Sequence, residues 1–258
     1  LVLPELKFVI AVLVPYSAQP AGASSFGFGA SYARYLSGGD YHSVVAERLD
    51  AVLREFDPSM RFKVCVDTSA VLERTWGRIA GLGWIGKNNL LIHPQLGSYT
   101  FIGVAFTDWE SDAAPRLLAD YCGSCERCLT ACPTGALVAP RELDSRQCIS
   151  YWTLEKRREL PETARLVSGE RAWVAGCDIC QEVCPFNTKA ARGAFGDPEF
   201  LAGTGAPVVS AWADLLAETR EQYETRVAGS ALSRVSYEQA QRNLRVAMEQ
   251  AGVGAKRS

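Results

Sequence analysis

Nine cysteines stand in a chain of 258 residues, and seven of them fall in two tight runs. Cys122, Cys125, Cys128 and Cys132, followed by Pro133, spell C-x2-C-x2-C-x3-C-P. Such a run holds iron–sulfur cubanes: three thiolates at two-residue gaps wrap one cluster, and the fourth, past a proline turn, reaches toward a second. One run therefore predicts a partner run. Cys177, Cys180 and Cys184 with Pro185 provide it, although Val174 stands where its first cysteine belongs. The crossover assigns Cys122, Cys125, Cys128 and Cys184 to a first 4Fe-4S cluster, and Cys132, Cys177 and Cys180 to a second. Cys148, between the runs, completes the second set, leaving Cys65 in apolar RFKVCV as a buried core thiol. Zinc is the competing metal, but two C-P runs with crossover spacing suit tetrahedral zinc poorly. Ligand-like gaps also argue against secreted disulfides and for a reducing, cytoplasmic setting.

Two adjacent clusters imply an electron relay, and a relay needs an acceptor. A bare carrier needs little more than the cysteine module, yet about half of the chain precedes it, so the chemistry is expected in the N-terminal part. There, from Leu6 to about Phe106, the apolar runs KFVIAVLV, RFKVCV, NLLI and YTFIGVAF alternate with helix-patterned stretches, which predicts an α/β (α+β) domain of four strands. Val45, Leu49, Val52, Leu53 and Phe56 recur at helical spacing, and Val71, Leu72 and Ile79 suggest a second amphipathic helix. A charged, helix-prone stretch around TLEKRREL interrupts the cysteine region, and two more helices are expected at about 210–223 and 237–251. The expected division is 1–115 for the catalytic domain, 116–200 for a ferredoxin-like two-cluster module, and 201–258 for a C-terminal helical segment packed on the core.

Hydrophobic residues make up 48% and charged residues 22%, the composition of an ordinary globular protein. The longest apolar stretch, Phe8 to Val14, is far short of the roughly 20 residues of a membrane-spanning helix. No charged n-region precedes it, so neither a membrane partner nor a signal peptide is expected. A net charge of −2 leaves nucleic acid to be held by a local basic patch.

Gly81 to Asn89, GLGWIGKNN, matches G-x-G-x-x-G and nearly matches a P-loop. Both motifs need a strand before and a helix after, whereas here the order is reversed. What remains open is a loop where backbone and Lys87 approach a bulky ligand, or a mere tight turn.

The segments DTSAVLERTWGRIAGLGWIGKNNLLIHPQLGS, SGGDYHSVV, CGSCERCLTACPTGAL and CDICQEVCPFN closely resemble the epoxyqueuosine reductase family. The likeness runs from about Lys7 to the GSALSR and QRNL segments, with an N-terminus that looks shorter than the family's. It implies a cobalamin-dependent iron–sulfur enzyme that reduces the epoxide of epoxyqueuosine to queuosine in the tRNA anticodon wobble position. It also supplies the missing acceptor: cobalamin in the N-terminal domain, reduced through the clusters by an external donor such as flavodoxin or ferredoxin.

Asp67 matches the family's proton donor, and an apolar setting after Val64 and Val66 is expected to raise its pKa and keep it protonated. The other reading of Asp67 is a helix N-cap, since Asp67, Thr68 and Ser69 precede a helix-patterned run. Tyr35, His42, Lys87 and Ser98 fall on the family's cobalamin-binding side. His42 also reads as a cap, and no histidine ligand to cobalt is expected. Lys156, Arg157, Arg158, Arg234, Arg242 and Arg245 are candidate contacts to the tRNA anticodon stem-loop, with a solvated helix face as the plain alternative. Trp152 and Tyr151 stack a base or pack in the core. The chain is expected to act as a monomer, and the alternatives are a reductive dehalogenase-like corrinoid reductase and a ferredoxin-type carrier.

Overall fold

The computed structural model describes residues 5–16, 29–192, 196–197, 200, 209–210 and 212–252. Its first sheet has the order β1-β6-β3, built from β1 (Phe8–Pro15), β3 (Phe62–Cys65) and β6 (Thr100–Thr107), all antiparallel. Strand β6 sits in the middle and is apolar on both faces because both are covered. Helix α1 (Tyr41–Phe56) lays Val45, Leu49 and Leu53 on one face, against Phe101 and Ala105. Helix α2 (Glu73–Ile79) covers the other, where Trp76 meets Phe106 edge-on at 5.7 Å. Cys65 is 1% exposed in that second layer, the buried thiol its apolar context predicted. Val52 and Phe56 of α1 instead face outward, Phe56 edging on Trp109.

The fourth expected strand, NLLI, does not join this sheet. It forms a two-residue β5 (Leu91–Ile92) paired with β4 (Trp84–Ile85) in a separate hairpin, so GLGWIGKNN contains strand β4 and the hairpin turn after it and is not a phosphate loop. The second helix begins only at Glu73, because backbone bonds from Thr68 N–H to Val66 and from Val71 N–H to Ser69 hold 66–71 in tight turns.

A second sheet, β11-β2-β10-β9, joins all three expected segments: β2 (Gly29–Tyr32), β9 (Val167–Ser168) with β10 (Arg171–Ala175), and β11 (Val209–Ser210). Strand β2 runs parallel to β10, which pins the N-terminal region onto the cysteine module. The expected helix at about 210–223 is two helices, Trp212–Ala217 and Arg220–Val227, the second opened by a capping box of Thr219 and Gln222. The last helix, Tyr237–Gln250, matches its expected span and is bonded down by amides. Asn243 donates to the carbonyls of Thr153 and Val174 (2.8 and 2.9 Å), and Gln241 to that of Leu215 (2.9 Å).

TLEKRREL is not a helix beyond one wide turn, Tyr151–Glu155. The carbonyls of Trp152, Lys156 and Arg158 accept from the Arg242 guanidinium instead of from downstream amides, and Pro161 follows. Among the described residues no helix is long and apolar enough to cross a membrane.

Candidate active site and cluster module

The two cysteine runs fold as matched loops onto short helices. Cys122 and Cys125 lie in the loop before α3 (Arg127–Ala131), which carries Cys128 and ends at Cys132. Cys177 precedes α4 (Ile179–Glu182), which carries Cys180, and Cys184 leads through Pro185 into α5 (Pro185–Arg192). Electrostatic neighbours sort the thiols: Cys184 feels Cys122 and Cys125, and Cys128 feels Cys122 and Cys184. In the other group Cys177 feels Cys148 and Cys132, while Cys180 feels Cys177, Cys148 and also Cys128. Cys180 and Cys128 neighbour each other where the two groups meet.

Burial pushes the thiols of Cys128, Cys148, Cys177, Cys180 and Cys184 up, Cys180 well above its usual range. At Cys132 burial also raises the pKa, but backbone amides around Leu137, Thr134 and Ala136 and the Thr134 hydroxyl outweigh it, and the thiol is lowered. Thiolates this desolvated and close together need a compensating positive charge, and cluster iron fits that requirement. Val174, where a fourth cysteine was absent, is 3% exposed within β10, its carbonyl taken by Asn243.

A cavity of about 600 Å³ opens between the first sheet and this module. Tyr35, Tyr41, Asp67, Asn88, Ser98 and Phe101 line it from the N-terminal side, and Cys132, Cys148, Cys177 and Cys180 from the other. The second thiol group thus shares one space with Asp67.

Asp67 is not an N-cap: Leu72 holds that position for α2, without a side-chain bond. Its φ is +56°, a left-handed value unusual for aspartate, at the centre of the turn closed by Thr68 N–H on the Val66 carbonyl (2.6 Å). This turn sets the Asp67 carboxylate in the cavity wall. The Tyr41 hydroxyl donates to Oδ2 at 2.8 Å, and His42 Nε2 lies 3.2 Å from the same oxygen. Asp40, the N-cap of α1, holds His42 Nδ1 at 2.5 Å, so Nε2 is aimed at Asp67. The bond with His42, opposed by burial and aided by that of Tyr41, lowers the Asp67 pKa. The expected rise is therefore corrected: Val64 and Val66 precede the turn, but the carboxylate itself, 65% exposed, faces polar partners.

Tyr35 and Ser98 stand on the cavity wall, and His42 stands one layer behind Asp67. Lys87 departs from expectation: its ammonium turns toward Glu126 (3.9 Å) and does not line the cavity. Ser98 is buried, its N–H donating to Asn187 Oδ1 (2.7 Å) and its hydroxyl to Gln181 Oε1 (2.9 Å). Gly97 beside it has φ +70°, and a Cβ there would overlap Asn187 Oδ1. Gly97→Ala is expected to cost roughly 2 kcal/mol or more by combining αL strain with this overlap. Thermal denaturation of the cluster-loaded protein reads it, and an unchanged midpoint would contradict the joint described here.

Of the basic candidates, Arg157, Arg158, Arg234 and Arg245 are exposed. Arg242 is committed to carbonyls inside the fold, and Lys156 is half-buried beside it. Trp152 is core, its indole N–H bonded to the Arg146 carbonyl, while Tyr151 remains exposed. Residues that pattern reading passed over are Asn88, whose amide reaches the Cys180 carbonyl (3.4 Å), Tyr41 and Trp84. An asparagine in a glycine-rich turn was the one visible signal for Asn88.

Two family models match the chain: "Epoxyqueuosine reductase QueG, DUF1730" over 1–68 and "4Fe-4S double cluster binding domain" over 121–187. An epoxyqueuosine reductase from Gloeobacter violaceus is 39% identical over 97% of this chain and 79% of its own length. The chain belongs to the epoxyqueuosine reductase family. Among solved structures, an epoxyqueuosine reductase with an epoxyqueuosine-modified tRNA-Tyr stem loop matches at TM-score 0.79 and 31% identity, over 98% of this chain and 67% of that one. The enzyme from Bacillus subtilis, with an aspartate catalytic loop swung out of its active site, matches at TM-score 0.80 and 28% identity, with the same coverages. The double-cluster match decides between the metals: the module is of the 4Fe-4S type, not a zinc knuckle.

Proposed function

We propose that this chain reduces the epoxide of epoxyqueuosine to the alkene of queuosine in the anticodon of tRNA, with cobalamin seated in the cavity between Asp67 and the second thiol group. The observation that carries this reading is the single cavity lined by Asp67 on one side and by Cys132, Cys148, Cys177 and Cys180 on the other. A corrin fits such a wall: aromatic Tyr35, Tyr41 and Phe101 offer flat apolar surface. When bound, cobalamin supplies a cobalt centre that accepts electrons singly and delivers them to the epoxide.

The overall change consumes two electrons and two protons and releases water, leaving a carbon–carbon double bond. The chain's own part is to relay charge and place a proton. Cys122, Cys125, Cys128 and Cys184 would hold one cluster and Cys132, Cys148, Cys177 and Cys180 the one beside the cavity, and such a pair would supply electrons from a donor such as flavodoxin or ferredoxin, the two sets meeting at Cys128 and Cys180. Asp67 protonates the departing oxygen. In the open cavity it is a carboxylate, and filling the cavity with ligand strips its water and raises its pKa toward the donor form. His42, fixed by Asp40, holds the Asp67 carboxylate in place from behind. One chain carries both thiol sets and the acid, so a monomer has every group the reaction needs.

For tRNA, Arg234 is the best-placed cation: it is exposed, and its charge acts on Asp67, Tyr35 and Tyr41. Arg234→Ala is expected to weaken binding of the stem-loop and to lower the slope of log affinity against log salt by about 1. An unaltered slope in a salt-series binding assay would remove Arg234 from the interface.

The cavity assignment is tested by gel filtration of the cluster-loaded protein with cobalamin. Co-elution of one corrin per chain is expected, and no retained corrin absorbance would overturn it.

A further inference from the structure

The glycine-rich hairpin has the wrong element order for a phosphate loop, yet it is tightly packed. A Cβ at Gly81 would press on the Arg116 carbonyl, at Gly83 on the Ile92 carbonyl, and at Gly86 on the Ile92 side chain. These close approaches set the indole of Trp84, 2% exposed, against the cluster module. Trp84 packs with Cys184, Phe186 and Ile92, and its ring lies edge-on to Phe186 at 4.7 Å and to Tyr121 at 5.1 Å. Its Nε1 stands 3.4 Å from Cys122 Sγ, a hydrogen bond from indole to sulfur.

The hairpin is clamped in this position. Arg141 donates from its backbone to the Lys87 carbonyl (3.0 Å) and from Nε to the Ile85 carbonyl (3.0 Å). The same guanidinium pairs with Asp120, whose other oxygen accepts the Cys122 N–H at 2.8 Å. Indole donor and sulfur acceptor are thus tied through one arginine and one aspartate, and the bond holds its geometry.

We infer that Trp84 is a positioning and tuning residue for the first cluster: its indole N–H, donated to the Cys122 sulfur, stabilises that cluster's reduced form and raises its potential above what the same cysteines alone would give. This rests on the reading of Cys122 as a cluster ligand. The reason is charge: reduction adds negative charge to the cluster sulfurs, and a hydrogen bond to an acceptor gains strength as the acceptor becomes more negative. The second set has its own donor, the Thr134 hydroxyl 3.7 Å from Cys132 Sγ, which Trp84 does not touch.

Trp84→Phe keeps an aromatic ring in the slot and removes only the N–H. In anaerobic redox titration followed by electron paramagnetic resonance, the variant is expected to hold both clusters. One of them should be about tenfold harder to reduce, 59 mV lower for one electron, and the other unmoved. Both potentials unchanged at full iron, or both moved equally, would overturn the inference. Iron well below two clusters in the wild-type chain would instead refute the ligand reading beneath it. If the variant does not keep its clusters, wild-type protein labelled with 15N-tryptophan decides by pulsed resonance. An indole nitrogen coupling on one cluster supports the bond, and no coupling on either overturns it.

Discussion

Cys148→Ala is expected to cut the iron content of anaerobically prepared protein from two four-iron clusters to about one. In the proposed ligand sets the seven remaining cysteines leave the first intact, since it takes Cys184 with its neighbours Cys122, Cys125 and Cys128. The second set is left with Cys132, Cys177 and Cys180, three thiolates for four corners. No spare thiol can replace Cys148, since Cys65 is sealed in the core of the first sheet. With the relay cut next to the cavity, turnover should fall by at least about a hundredfold while the fold, as read by circular dichroism, persists. Iron analysis with Mössbauer or electron paramagnetic resonance checks it, and full iron in the variant would dismiss Cys148 as a ligand. Cys125→Ala is the mirror experiment, expected to spare the second cluster.

Asp67→Asn is expected to slow single-turnover reduction by roughly 10² to 10⁴, the usual worth of a general acid. Asparagine is a mild change there. It accepts the Tyr41 hydroxyl through its amide oxygen, and it tolerates the left-handed φ of +56° better than most residues. Cobalamin affinity should therefore stay within about twofold, so that the loss belongs to proton transfer and not to the cavity. The lowered pKa of the free enzyme sharpens the test. A carboxylate held low by His42 and Tyr41 acts as an acid only once ligand has displaced water, so bound ligand should shift the Asp67 titration upward. Turnover by the Asn variant within threefold of wild type would move the acid elsewhere.

The 4Fe-4S module was legible because thiolate spacing is a strong local code: gaps of two and three residues limit which sulfurs can share a cubane. The missing cysteine at Val174 was readable as a demand, and the proposal that Cys148 fills it rests on the variant above. Strand β6 and helix α1 were legible from unbroken apolarity and from 3.6-residue spacing. The second sheet was not, because β2 is GASY, four residues too small and polar to look like a buried strand, and its partner β10 lies about 140 residues away. The tight turn at Asp67 was invisible too, since a positive φ in an aspartate leaves no mark in the sequence. It changed the chemistry expected of that residue from a buried acid to a polar-faced carboxylate. Lys87 and Arg242 misled for a common reason. A long cation can be used up by an internal carboxylate or by carbonyls, and only contacts reveal that.

The most direct test is nucleoside analysis of tRNA carrying epoxyqueuosine, incubated anaerobically with the cluster-loaded protein, cobalamin and a strong reductant. Conversion to queuosine should require both cobalamin and the full complement of iron, and should vanish in Cys148→Ala. Absence of conversion by protein that demonstrably holds two clusters and a bound corrin would contradict the assignment. Equal conversion with cobalamin left out would do the same.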